Sequence, residues 1–183
     1  MKIYLVRHGE TEWNRLHKRQ GRTDIPLNET GIKQAEELHD KLKDFEFDVC
    51  YSSPLSRARQ TAEIVVSGRS EIIYDDRLME RSFGTLEGTD PATWNLEDDW
   101  SIKLNVRKKG MEPVRDLLAR GRKILDTIIQ DNKDDAKILI VAHNGILRAI
   151  HWNIVGYNSK TNLREFRLKN GEIREYTVQK SIT

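Results

Sequence analysis

The sequence is short of cysteine, of excess charge and of long apolar runs, and each shortage excludes something. Cys50 is the only cysteine, so there is no intrachain disulfide and no cysteine-built zinc site. Lysine and arginine total 31 against 29 acidic residues, a net charge of +2. That near balance argues against a nucleic-acid or membrane partner, and any anion site has to be built locally. No apolar stretch is long enough to cross a bilayer, and the one in "MKIYLVRHGE" is too short for a signal peptide. The expectation is a soluble cytoplasmic protein. There is no repeat, no low-complexity tract and no Pro/Gly/Ser linker, which implies one domain over residues 1–183.

What is present is a polar chain with well-marked apolar clusters. Charged residues make up 33% and apolar residues 37%, with a mean hydropathy of −0.68. At 183 residues the chain can bury a sizeable core, and the clustering argues against disorder. Four short runs rich in Ile, Val, Leu and Tyr, at 2–6, 48–51, 71–74 and 137–142, alternate only weakly. They predict strands buried on both faces, as in a parallel sheet.

Helical periodicity fills the intervals. Residues 32–43 place Ile32, Ala35, Leu38 and Leu42 on one stripe, with Asn28 or Thr30 as cap. Residues 54–66 follow "SSP", with Ser53 suited to the N-cap and Pro54 to the first helical position. Residues 113–130 and 145–155 are two further amphipathic stretches. The tail, 163–168 then "KNGE" then 173–178, reads as a β-hairpin around Asn170-Gly171. The fold class predicted is α/β, a three-layer α/β/α sandwich around a mostly parallel sheet, with the C-terminal β-hairpin at its edge. Such an edge leaves monomer and homodimer both open. Residues 89–112 fit the pattern worst. They hold Trp94, Trp100, the acidic triplet Glu97-Asp98-Asp99 and the basic cluster Arg107-Lys108-Lys109, and are read as an inserted specificity flap.

In open α/β sheets, ligands bind beyond the carboxyl ends of the strands. The first run ends in Arg7-His8-Gly9 and the second in Ser52-Ser53-Pro54, followed by Arg57. The third leads into "DDRLMERSFG" with Glu80, and the fourth ends in His143-Asn144-Gly145. Two histidines, two arginines and a carboxylate therefore share one end of the sheet. Arginine forks match phosphate oxygens and stay charged. The helix start after "SSP" offers further N–H donors. A histidine with one unprotonated nitrogen can attack phosphorus, and neighbouring arginines disfavour its cation. Phosphate beside a carboxylate favours the protonated acid, so Glu80 can protonate a leaving oxygen and then activate water. His143 can donate to the developing charge.

Other readings of these residues are weaker. A metal held by His8, His143 and a carboxylate would be repelled by two flanking arginines. His17, His39 and His151 are expected at the surface or in packing, and Cys50 in the core as a small hydrophobe. The basic cluster reads as a solvated face and the two tryptophans as local packing.

Taken together, "LVRHGETEWN", "GRTDIPLNETGIKQA", "YSSPLSRARQTA", "LMERSFGTLEG" and "ILIVAHNGILRA" resemble the histidine phosphatase superfamily, the phosphoglycerate-mutase-like group. The motifs keep that family's order over residues 5–149. The resemblance implies that His8 is a nucleophile that becomes phosphohistidine. It implies that Arg7, Arg57 and His143 bind the phosphate and that Glu80 donates the proton. It adds Asn14, Gln20 and the backbone around Asn144 as phosphate contacts, and implies neither metal nor cofactor. Many relatives have glycine where this chain has Asn144. Glycolytic mutases usually carry "ERHYG", a lysine soon after and tandem arginines further on. Here Ser82 and Phe83 stand instead, and the chain is short for a mutase. The expectation is a phosphatase acting on a small phosphorylated molecule. A cofactor-dependent phosphoglycerate mutase and a non-catalytic phosphate-ester-binding module are the alternatives.

Overall fold

The computed structural model describes residues 1–107 and 110–180. Five strands, β1 (Lys2–Arg7), β2 (Val49–Ser52), β3 (Ile72–Tyr74), β4 (Lys137–Ala142) and β5 (Ile173–Thr177), form one sheet in the order β3-β2-β4-β1-β5. All neighbours are parallel except β5, which runs antiparallel to β1.

Alternation along β1 sets the layers. Ile3 and Leu5 face one core together with Leu117, Ile124 and Ile128 of α5 (Val114–Asp131) and Ile146 and Ile150 of α6 (Asn144–Val155). Tyr4 and Val6 face the other core, with Leu38 of α2 (Glu29–Leu42) and Ala58, Ala62 and Val65 of α3 (Ser56–Val66). The result is the α/β/α sandwich expected. Short helices α1 (Glu12–Arg15) and α4 (Leu96–Asp99) lie in the connections.

The central strands are buried as their composition predicts, but β3 is not. It is the sheet edge, and Ile73 and Tyr74 are exposed. Ile32 of the predicted α2 stripe is also exposed, because the buried face of that helix uses Gly31, Ala35 and Leu38. Asn28 is the cap, accepting from Gly31 N at 2.8 Å. The loop after β1 presses backbone to backbone on this helix start. A Cβ on Gly9 would collide with the Gly31 carbonyl, and one on Gly31 with the Glu10 carbonyl.

Two further expectations are corrected. Helix α3 begins at Ser56, not Pro54, with Leu55 at its N-cap position. Asp24 from a distant loop accepts from Ser56 N at 2.8 Å and supplies the capping carboxylate. Of the helix-start donors expected for phosphate, Ser56 N is therefore already used, and Leu55 N donates to Ser53 Oγ at 3.3 Å. The tail forms only the second arm of the hairpin. Gly171 turns with φ +69° as the motif requires, but 163–165 is a 3₁₀ turn and 166–168 does not join the sheet. The backbone there is held by side chains instead. Arg148 Nε donates to the Phe166 carbonyl at 3.0 Å and Arg7 Nη1 to the Leu168 carbonyl at 2.9 Å.

Candidate active site

Register carries the site to the carboxyl edge of the sheet. Val6 and Ser52 both pair with Val141, and the chain steps beyond are matched by His8 N to Ala142 O (3.0 Å) and Ser53 N to Val141 O (3.1 Å). His8, Ser53 and His143 thus emerge side by side where three adjacent parallel strands end. A cavity of about 310 Å³ opens there, lined by Arg7, His8, Asn14, Gln20, Arg57, Glu80 and Asn144. Seven of the eight sequence-predicted residues line it.

The two imidazoles are 5.0 Å apart, centroid to centroid, and both are buried. His8 Nδ1 lies 2.6 Å from the Gly9 carbonyl. A carbonyl only accepts, so the proton sits on Nδ1 and Nε2 keeps a free lone pair. Burial, then the charges of Arg57 and Arg7, holds His8 well below the ordinary histidine range. It is therefore a neutral imidazole.

His143 is the eighth residue and sits behind the lining. Arg57 Nε donates to its Nδ1 at 3.1 Å, which puts the His143 proton on Nε2, and that nitrogen lies 2.8 Å from Ser53 Oγ. Both ring nitrogens are engaged within the protein. The hydrogen bond expected from His143 to phosphate is not available in this arrangement; it requires the Ser53 bond to be exchanged. Burial first, then Arg57, His8 and Arg7, keeps this ring neutral too.

The arginines differ in what they leave free. Arg57 spends Nε on His143 and bonds the Thr23 and Gly21 carbonyls at 2.9 and 2.8 Å. Arg7 bonds Leu168, and its buried Nε has no partner among the described residues. Such an orphaned cationic donor fits a phosphoryl oxygen. Burial pulls both guanidinium groups down to about 10, still charged at neutral pH.

Glu80 is fixed by backbone alone. Oε1 accepts from Arg81 N (2.7 Å) and Ile146 N (3.2 Å), and Oε2 from Gly145 N (3.0 Å). Oε2 thus has the freer lone pairs. Gly145 is required here, since a Cβ would collide with Oε1. Asn14 Oδ1 is held by Thr11 and Asn170, which leaves its Nδ2 to donate. Gln20 carries a buried Oε1 without a partner among the described residues. Asn144 needs no unusual backbone angle: it lies in the first turn of α6, and its Oδ1 accepts from Leu168 N at 3.2 Å. A side chain is tolerated there because the position is ordinary helix.

Sequence reading missed several lining residues. Arg148 is four residues after Asn144 on α6, hence on the same face and leaning toward the helix start. That spacing was the available signal. Arg164 and Arg167 come from the tail segment whose pattern predicts strand, and Lys18 and Arg19 from the loop after α1. From the flap, Trp94, Leu96 and Trp100 line the cavity, and both tryptophans do more than pack locally. Arg19 lies between Phe83 and Trp94 at 4.6 and 4.5 Å, and Trp100 carries Arg81 and Arg148 at 4.7 and 4.2 Å. The acidic triplet does not face substrate as a unit: Asp99 is buried against Arg19 at 3.1 Å. Arg107 pairs with Asp116 at 3.3 Å, while Lys108 and Lys109 lie outside the described residues.

A five-stranded α/β/α sandwich with a neutral, buried histidine beside two arginines at its carboxyl edge has the makings of an anion site. Comparison with known proteins identifies the family. Residues 3–181 match the histidine phosphatase superfamily, branch 1, and the chain belongs to it. It is 33% identical, over 99% of its length and 96% of the relative's, to a protein of Bacillus subtilis (strain 168) described as "Uncharacterized phosphatase PhoE". A "Probable phosphoglycerate mutase GpmB" of Proteus mirabilis (strain HI4320) is 32% identical over 99% of this chain and 86% of that one. A phosphoserine phosphatase mutant from Entamoeba histolytica, solved with phosphoserine, superposes with a TM-score of 0.83 at 30% identity. That match covers 95% of this chain and 89% of the other.

Proposed function

We propose that this protein is a metal-independent phosphatase that hydrolyses a small-molecule phosphomonoester through a phosphohistidine on His8. The observation that carries the reading is the 2.6 Å hydrogen bond from His8 Nδ1 to the Gly9 carbonyl. It aims an unprotonated Nε2 into an arginine-lined cavity and stays in place to steady the imidazolium character that phosphorylation creates.

Arg7 and Arg57, with Asn14 Nδ2, grip the phosphoryl oxygens and take up charge as it develops. Their positive charge also disfavours a metal cation at the same place. His8 Nε2 forms a P–N bond as the P–O bond breaks in line, and Glu80 passes a proton from Oε2 to the leaving alkoxide. Water then gives a proton back to Glu80 and attacks phosphorus. The P–N bond breaks, inorganic phosphate leaves and neutral His8 returns. His143 holds Arg57 through Nδ1 and has in Nε2–H a donor that phosphate can draw away from Ser53.

The test is turnover of p-nitrophenyl phosphate in excess EDTA, which the reading expects to persist and to vanish in His8→Ala. Loss of activity with EDTA, or retention of full activity in His8→Ala, contradicts it. The mutase reading draws on the phosphoglycerate-mutase name that several relatives carry. Conversion of 3-phosphoglycerate to 2-phosphoglycerate without phosphate release would favour it, because a mutase must keep water from the phosphoenzyme.

A further inference from the structure

The cavity carries far more positive charge than one phosphate needs. Six arginines and Lys18 line it, against the single carboxylate of Glu80. Two of those arginines, Arg7 and Arg57, are assigned to the phosphoryl group above. Arg19 is already matched by Asp99 at 3.1 Å. The rest of the charge is not spread evenly. Arg148, Arg164 and Arg167 gather on one wall, and no carboxylate forms an ion pair with any of them among the described residues.

That wall is built. Phe166 and Leu168 are buried with Arg167 exposed between them, the alternation of an extended segment. The Phe166 carbonyl anchors Arg148 and the Leu168 carbonyl anchors Arg7. Carbonyls two residues apart in extended chain are separated by roughly 6–7 Å. One short backbone segment therefore anchors the phosphate-gripping arginine and a second, buried arginine on carbonyls set apart by about the length of a three-carbon phosphoester. Arg148 is only 6% exposed and is clamped by the Phe166 carbonyl and the face of Trp100, 4.2 Å away. Burial, together with the like charges of Arg164, Arg167 and Arg7 and against the pull of Glu80, brings its guanidinium down to about 10. Holding like charges together in a partly dry wall costs free energy that a bound anion returns.

Building on the phosphatase reading, we infer that Arg148, Arg164 and Arg167 form a second anion subsite that selects short phosphomonoesters carrying another anionic group, a carboxylate or a second phosphate. Glu80 and His8 act at one end of such a ligand while the Phe166–Leu168 wall reads the other. The three-residue wall thus sets which phosphoester is used, and the flap tryptophan Trp100 braces it.

Matched ligands test this by equilibrium binding to the His8→Ala protein, where no turnover intrudes. Glycerol 3-phosphate and 3-phosphoglycerate differ only in a CH₂OH against a carboxylate, and 2,3-bisphosphoglycerate adds a second phosphate. The subsite predicts at least tenfold tighter binding, by calorimetry, for one of the two anionic ligands than for glycerol 3-phosphate. The tighter of the two names the group. Arg164→Gln with Arg167→Gln, both exposed side chains, should bring that ratio close to one while leaving the melting temperature unchanged. A ratio near one before substitution, or a ratio the double substitution leaves intact, overturns the subsite. Phosphate release by the unsubstituted protein is scored separately. A preserved binding preference with no phosphate release from any ligand sinks the phosphatase reading and supports the subsite.

Discussion

Arg57 donates its Nε–H to Nδ1 of His143 at 3.1 Å, joining two residues that lie 86 positions apart in the chain. The bond does two things. It holds the fork of Arg57, whose two terminal nitrogens each place one N–H on the Thr23 and Gly21 carbonyls and keep a second to donate, and it fixes which His143 nitrogen carries the proton. A lysine cannot copy a planar donor that makes these three contacts at once. Arg57→Lys is expected to keep its charge and fold yet lose on the order of 10²-fold in kcat/KM for p-nitrophenyl phosphate. Activity within a factor of about three of the parent would remove Arg57 from the phosphate grip.

Glu80 owes its position to the absence of a side chain at 145. Gly145→Ala would push the carboxylate off Gly145 N and Ile146 N, and because the group displaced is the end of a flexible side chain the fold should survive. The expected outcome is a fall on the order of 10²-fold in kcat for alkyl phosphates, which need a proton on the leaving oxygen. The fall should be much smaller for p-nitrophenyl phosphate, whose leaving group needs no such help. Equal losses on both substrates would separate Glu80 from the acid role.

Gly31 gives a sign test of the packing between the β1 loop and α2. In a helix, glycine to alanine ordinarily stabilises by about 1 kcal/mol. Here the new Cβ meets the Glu10 carbonyl, which is backbone and cannot swing aside. Overpacking of this kind costs about 1–3 kcal/mol, so Gly31→Ala should lower Tm by several degrees. A raised Tm would show that the loop moves freely.

The buried histidines make stability depend on pH in a fixed direction. Burial depresses His8 and His143 well below their ordinary range, and His151, against Tyr176 and Phe166, falls to about 4. In the unfolded chain each titrates near 6.5, so below that value the unfolded state binds protons the folded state refuses. Stability is therefore complete above about pH 6.5 and drains as pH falls toward 5, by up to about 1.4 kcal/mol per pH unit for each histidine. Thermal melts between pH 7.5 and 5 should slope downward, and His8→Asn should flatten the slope. An unchanged slope would mean that His8 is accessible to protons in the folded protein. The acid limb of kcat/KM should likewise lie well below pH 6.5.

The edge that carries the candidate site was legible because parallel strands announce themselves as apolar runs, and their last residues, Arg7-His8, Ser52-Ser53 and His143-Asn144, are then forced to one end of the sheet. The interior of the site was less so. Ser53 looks like a helix cap by every local rule, but its Oγ meets His143 while Asp24, 32 residues away from Ser56, does the capping. The first hairpin arm failed for the same kind of reason, since Arg7 and Arg148 take the carbonyls that a neighbouring strand would need. Arg164 and Arg167 show no local periodicity that distinguishes them from any surface arginine. Their position opposite Arg148 exists only once the tail folds back over α6.

The phosphoenzyme is the most direct measurement. Rapid mixing with a radiolabelled phosphomonoester in excess EDTA, quenched in alkali and mapped by peptide mass spectrometry, should place an acid-labile phosphate on His8. The label should be absent in His8→Ala. Turnover that leaves no label on His8 in the single-turnover regime, or label on another residue, would contradict the account.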